Sequence, residues 1–304
     1  MNAGTRTGPF TVWLASYPKS GNTWTRAVLQ SLTPPDVPLG AGAAEASCVD
    51  INALVGTPMA GCRATIDAYL GFAASDLLPG EIDALRPAVD AAVDAGLDRI
   101  LFRKAHDALF SGPDGAPIVS ATATRAAIYL VRDPRDVAVS FARFEARSPS
   151  AVVASMADPG RALSGTDRRL SNHARQRLGT WSQHVESWTC HDLFPVAVFR
   201  YEDLHADPVG EFGRMAAFAG LTASRDEVAA AVAAARFDRL QAQEARYGFR
   251  ERVHPTAAFF RRGIVGSWRD ELPADLVRRI ETDHGATMLR LGYRLASDGA
   301  SPAG

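Results

Sequence analysis

Cysteine is scarce in this chain: Cys48, Cys62 and Cys190 are the only three among 304 residues. Three scattered thiols cannot build a disulfide framework, and their spacing does not match a zinc site. They read as reduced, structural residues. An excess of either charge is missing too, because 33 Lys and Arg stand against 34 Asp and Glu, for a formal net charge of −1. Bulk electrostatic binding to nucleic acid is therefore not expected, and any anion site must be a local gathering of Arg and Lys. No apolar run approaches membrane-spanning length, and the opening Met-Asn-Ala-Gly-Thr-Arg-Thr-Gly lacks the apolar core of a signal peptide. These absences predict a soluble cytoplasmic protein without a membrane partner. A Walker A loop is also lacking, as is any cluster with metal-ligand spacing.

What is present is 47% hydrophobic residues, enough to bury a full core as one α/β domain over residues 1–304. Apolar runs rich in β-branched or aromatic residues alternate with helical patterns. Strands are expected at 11–17, 99–103, 127–131 and 195–200. Helices are expected at 23–32, 82–95, 134–144, 175–190, 209–219 and 274–291, and the Ala-rich stretch 228–235 reads as plain helix. This alternation predicts a three-layer α/β/α fold with a central parallel sheet. Segments 33–78 and 147–169 are the least regular and read as excursions from that scaffold.

The sharpest local signal is Thr-Val-Trp-Leu-Ala-Ser-Tyr-Pro-Lys-Ser-Gly-Asn-Thr-Trp at 11–24. An apolar run stops at Pro18, Lys19 to Thr23 form a small polar turn, and a helix follows from Trp24. Such a strand–turn–helix start offers backbone N–H groups and a helix dipole to a phosphate, and Lys19 adds a mobile full charge. The loop is P-loop-like, but its lysine precedes the glycine. The other expected strands also end in reactive groups: Lys104 and His106, then Arg132, then Tyr201-Glu202-Asp203. In an open parallel sheet these ends share one edge, where ligands bind.

Around Arg132, Asp133 suits a helix N-cap and Pro134 the first helical position, so Arg132 occupies a strand-to-helix turn with Ser140 inside the helix. Its planar fork suits a phosphate, although pairing with Asp133 or Asp136 would also account for it. Lys104 and His106 are two apart and point to one side of an extended segment. They fit a general base beside an ammonium, or a histidine with a purely structural hydrogen bond. Arg261-Arg262-Gly263, flanked by Phe260 and Trp268, fits an anion-clamping loop or a solvated turn.

Tyr-Pro-Lys-Ser-Gly-Asn-Thr-Trp, then Arg132 with Ser140, Tyr201-Glu-Asp-Leu and Arg261-Arg262-Gly263, in this order, resemble the cytosolic PAPS-dependent sulfotransferases. There is also a general likeness to bacterial members that act on natural products such as glycopeptides. The resemblance implies that Lys19 meets the 5′-phosphosulfate, with Ser20, Gly21, Asn22 and Thr23 completing the loop and Trp24 stacking on adenine. It implies a 3′-phosphate site at Arg132, Ser140, Arg261, Arg262 and Gly263, with Tyr201 and Phe237 near the adenine. His106 matches the catalytic base and Lys104 the lysine that steadies the transferring group. Asn22, Ala105 and Ser267 depart from the usual residues at their positions, and the dimerisation motif of many animal members is not recognisable in 267–291.

The expected reaction is in-line transfer of the sulfuryl group from PAPS to a hydroxyl or amine of a small-molecule acceptor, releasing PAP, with no metal required. The acceptor pocket is expected to be bounded by 33–78 and 147–169. Two alternatives are a P-loop small-molecule kinase using Mg-ATP and a nucleotide-binding module without catalysis. An arginine where a Walker B aspartate would stand argues against the first, and the joint presence of Lys19 and His106 against the second.

Overall fold

The computed structural model describes residues 8–33, 49–54, 60–112, 115–164, 171–252 and 258–296. In chain order the elements are β1 (Thr11–Ser16), α1 (Asn22–Leu32), α2 (Arg63–Leu70), a 3₁₀ turn (Ala74–Asp76), α3 (Pro79–Ala95), β2 (Leu101–Ala105) and β3 (Thr124–Val131). There follow α4 (Pro134–Glu145), α5 (Pro149–Met156), β4 (Ala162–Leu163), β5 (Gln176–Arg177), α6 (Trp181–Thr189), β6 (Val196–Arg200) and α7 (Tyr201–Ala206). The chain continues through α8 (Pro208–Ala219), α9 (Arg225–Ala234), α10 (Phe237–Tyr247), α11 (Trp268–Glu271) and α12 (Ala274–Arg290).

Strands β2, β1, β3 and β6 pair in that order, all in parallel. Alternate residues of the buried strands feed opposite faces. Trp13, Ala15, Tyr129 and Val131 pack on one side with side chains of α4, α5, α6 and α12. Val12, Leu14, Ile128 and Leu130 pack on the other with α1, α8, α9 and α10. This is the expected three-layer α/β/α fold. The chain leaves β1 for β2 on one side and later places β3 on the other, so the sheet switches direction beside β1. That switch point opens a crevice at the carboxyl edge. Among the described residues no helix is long and apolar enough to cross a membrane.

Three expectations need correction. Strand β2 lies two residues later than its expected 99–103, because it pairs with β1 in the register Leu14↔Lys104 and Ala15↔Ala105. Lys104 is therefore inside the strand rather than after it. The helix expected at 175–190 begins only at Trp181. Gly179 adopts φ +63° and Thr180 closes a capping box with Gln183, while Gln176 and Arg177 pair with β4. The irregular segments also contain regular structure, namely α2 and the 3₁₀ turn in the first and α5 and β4 in the second. Residues 34–48, 55–59 and 165–169 of those segments, with Cys48, lie outside the described residues.

Candidate active site

Four strand ends build the site. The turn after β1 places Lys19 at φ +74° and Gly21 at φ +98°. Both values lie in the left-handed region, and Lys19 is not a glycine, so the loop carries local backbone strain. Gly21 also has a packing reason, since a Cβ would sit 2.7 Å from Cδ2 of Tyr201. It stands at the N-cap of α1 with no side-chain cap, so the helix's first N–H groups are left for another acceptor. Ser20 is fully enclosed and its hydroxyl finds no protein partner. The Asn22 amide, which the sequence offers to a phosphate, is committed elsewhere: Nδ2 donates to Leu14 O (3.0 Å) and Ser16 Oγ (3.3 Å). Thr23 is buried beside it.

The Lys19 ammonium lies 4.1 Å from the ring centroids of both Phe144 and Phe259. Burial, and then the charges of Arg132 and Lys104, lower its pKa to about 7. Lys104 donates from Nζ to Glu251 Oε2 at 2.9 Å, and the other oxygen of that carboxylate accepts from Arg26 Nη2 at 2.6 Å. Burial and Arg26 lower the Lys104 pKa to about 8. Burial alone would raise Glu251, but Lys104 and Arg26 overcome it and bring the carboxyl to about 2.

His106 directly follows β2. Its Nδ1 lies 2.9 Å from Ser16 O and 3.3 Å from Ser16 Oγ. A carbonyl only accepts, so Nδ1 carries the proton and Nε2 keeps a lone pair. The peptide behind it is held as well, because His184 donates from Nε2 to His106 O at 3.0 Å, and Tyr129 OH donates to His184 Nδ1 at 2.8 Å. Burial and the Lys104 charge push the His106 pKa well below the ordinary histidine value. The ring is a neutral base at physiological pH.

Arg132 joins the loop after β1 to the loop around Ile264. Nη1 donates to Lys19 O (3.3 Å), Nη2 to Ile264 O (2.8 Å), and the guanidinium lies 4.3 Å from the Tyr201 ring centroid. Its Nε is buried without a partner. Pairing with Asp136 is a long 3.8 Å contact, while Asp133 caps α4 through Arg135 N. Asp136 instead fastens the second loop, accepting from Gly266 N (2.7 Å), Ser267 Oγ (3.0 Å) and Trp268 N (3.0 Å). Arg261 and Arg262 both donate to Glu271 Oε1, at 2.9 and 3.0 Å. Gly263 has φ +59°, and a Cβ there would collide with Phe237.

One cavity of about 1390 Å³ connects these groups. Lys19, Gly21, Asn22, Thr23, Trp24, Lys104, His106, Arg132, Ser140, Tyr201, Phe237, Arg261, Arg262 and Gly263 all border it, so the structure brings together every proposed site residue except Ser20, which lies enclosed beneath the loop. Trp24 meets Tyr201 edge-on at 6.2 Å between centroids. The cavity is also bordered by Cys62, Arg63 and Asp67, by Leu163 and Ser164, and by Ser171 to His173. Sequence reasoning missed Arg26, Glu251, Glu271 and the two rings around Lys19. The run Gly-Phe-Arg-Glu-Arg at 248–252 was the only local signal for Glu251.

A family model described as "Sulfotransferase domain" matches residues 121–292. Cytosolic sulfotransferase 17 of Arabidopsis thaliana is 30% identical over 169 residues, covering 51% of this chain and 46% of that protein. Sulfotransferase 1A1 of Bos taurus is 28% identical over 147 residues, 47% of this chain and 48% of that protein. The matched part thus spans about half the length of these relatives. Among solved structures, mouse sulfotransferase SULT7A1 complexed with PAP superposes with a TM-score of 0.55 at 19% identity, covering 91% of this chain and 83% of that one. Retinol dehydratase in complex with androsterone and inactive cofactor PAP gives 0.59 at 19% identity, covering 96% and 84%. At this identity the likeness is one of fold.

Proposed function

The chain belongs to the family of sulfotransferase domains, and we propose that it transfers the sulfuryl group of PAPS to a hydroxyl or amine of a small-molecule acceptor. The observation that carries the reading is the meeting of Lys19, Lys104, His106 and Arg132 around one cavity at the carboxyl edge of the sheet. The donor fits the residues present. The uncapped start of α1, the unpartnered Ser20 hydroxyl and the buried Nε of Arg132 are groups that lack an acceptor or partner in the protein. In this reading Arg261, Arg262, Gly263 and Ser140 would hold the 3′-phosphate, and Trp24, Tyr201 and Phe237 would border the adenine; all seven line the cavity.

In the reaction, the acceptor oxygen or nitrogen attacks sulfur in line with the bridging oxygen of the phosphosulfate. A new bond to sulfur forms as the old one breaks, and its electron pair stays on the 5′-phosphate of PAP. His106 Nε2 takes the acceptor proton, because Nδ1 is already donating to Ser16 O. Lys19 and Lys104 stabilise charge on the leaving phosphate and the sulfuryl oxygens, the role fixed cations play in group transfer of this kind.

The proposal covers one domain acting on a small molecule in the cytoplasm, with the cytosolic Arabidopsis relatives supporting that compartment. Structural relatives hold retinol or androsterone. Here the cavity lining mixes Phe141 and Leu163 with Ser171, Asn172 and His173, which suits an acceptor with both apolar and hydroxylated parts. The general sequence likeness to bacterial natural-product members supports that class. PAP release from PAPS, followed with a panel of phenols, aliphatic alcohols, amines and glycosides, tests the reading. Acceptor-dependent release is expected. A protein that binds PAP yet releases none with any acceptor would support the binding module instead.

A further inference from the structure

Glu251 is an acidic group inside a site built for anions. It reaches the site from the segment after α10, 225 positions from Arg26 and 147 from Lys104. We propose that Glu251 is a positioning residue for sulfuryl transfer, whose carboxylate bridges Arg26 on α1 and Lys104 on β2 and so holds the Lys104 ammonium, charged, beside His106. The inference rests on the sulfotransferase reading above.

Two cations from different elements share this one carboxylate. Arg26 is fully enclosed, and its Nε and Nη1 have no partner, so its Glu251 contact at 2.6 Å is its main anchor. The second carboxylate oxygen is directed to Lys104 at 2.9 Å. A lysine has four flexible methylenes and three rotatable donors, so a fixed acceptor is what gives its head a defined place.

The surroundings of Lys104 explain why that acceptor must be charged. Arg26 faces it from α1, Lys19 from the loop after β1, His106 from its own strand end, and His173 from the segment before β5. Against this group of bases and cations, Glu251 supplies negative charge directly to Lys104. Without it, burial and Arg26 would favour loss of the Lys104 proton. A neutral amine could not stabilise charge on the sulfuryl oxygens. When the donor arrives, one oxygen of Glu251 still anchors Arg26 while Lys104 turns its free N–H groups to the sulfuryl group.

The test uses Glu251→Gln, which keeps the shape and removes the charge, and Glu251→Asp, which keeps the charge. Two readouts are taken on the full chain. One is the pH dependence of Lys104 acylation by acetic anhydride, followed by peptide mass spectrometry. The other is PAP affinity by calorimetry. Glu251→Gln is expected to move the Lys104 labelling midpoint down by about one pH unit while PAP affinity stays within about threefold. Glu251→Asp is expected to restore most of the midpoint. An unshifted midpoint in Glu251→Gln overturns the inference, and so does a loss of PAP affinity and thermal stability with no change in midpoint, which marks a structural role. Failure of the wild type to bind PAP would instead overturn the sulfotransferase reading.

Discussion

The imidazole of His106 donates from Nδ1 to the carbonyl oxygen of Ser16, 2.9 Å away across the pair β1 and β2. Ser16 closes β1 immediately before the phosphate-type loop, and His106 follows the last residue of β2. The hydrogen bond therefore fixes the base relative to the loop that would hold the leaving phosphate. It also sets the tautomer, leaving Nε2 as the proton acceptor.

Replacing His106 with alanine is expected to lower kcat by about 10²–10⁴, the usual range for a positioned general base. PAP affinity should change by less than about twofold, since the ring does not reach the donor's phosphates in this account. Steady-state turnover and calorimetry on the same preparation check both halves. Retention of most of kcat would mean that another group removes the acceptor proton.

Donor binding should take up protons above neutral pH. Free Lys19 has its pKa lowered to about 7 by burial and by Arg132 and Lys104, so above pH 7 it is largely neutral. An incoming phosphate favours the ammonium and raises that pKa. The bound state then holds more protons than the free state, and PAP affinity must fall as pH rises from about 7 to 9. Calorimetry in buffers of different ionisation enthalpy measures the uptake directly. Lys19→Met should reduce it.

Arg132→Ala should weaken PAP binding by about 1.5–3 kcal/mol, the range for a charged hydrogen bond. ADP, which lacks the 3′-phosphate, should lose less. Part of the loss will come through the backbone, because the guanidinium also holds Lys19 O and Ile264 O. An equal loss for the two nucleotides would assign Arg132 to loop support alone.

Asp136→Ala should destabilise the fold and free the loop containing Arg261 to Gly266. The carboxylate is 1% exposed and accepts from Gly266 N, Ser267 Oγ and Trp268 N. Orphaning donors at that depth costs roughly 3 kcal/mol, visible as a drop of several degrees in Tm. Asp136→Asn, which preserves an acceptor oxygen, should lose less.

The parts of this protein legible in the sequence are those decided locally. Apolar composition marks β1, β3 and β6 because each sends apolar side chains to the helix layers on both faces of the sheet. Gly21 marks the phosphate-type loop because its φ of +98° and the nearby Tyr201 ring require glycine there. The end of β2 was misplaced by two residues because register is set by pairing with β1, not by the strand's own composition. Helix α6 starts late because Thr180 and Gln183 form a capping box that outweighs the helical pattern before it. Glu251 and Glu271 could not be foreseen as site residues. Each owes its place to partners from other elements, and Arg26, Glu251's partner, reads in the sequence as one more polar residue on a helix.

Thermal stabilisation by PAP, with ADP and Mg-ATP measured in parallel, tests the central claim most directly. A ligand at about a hundred times its Kd adds roughly 2.7 kcal/mol, a shift of several degrees. The account predicts stabilisation by PAP well above that by ADP, because the proposal assigns Arg132, Arg261 and Arg262 to the 3′-phosphate that ADP lacks. Equal or greater stabilisation by Mg-ATP would contradict it and put the kinase reading first.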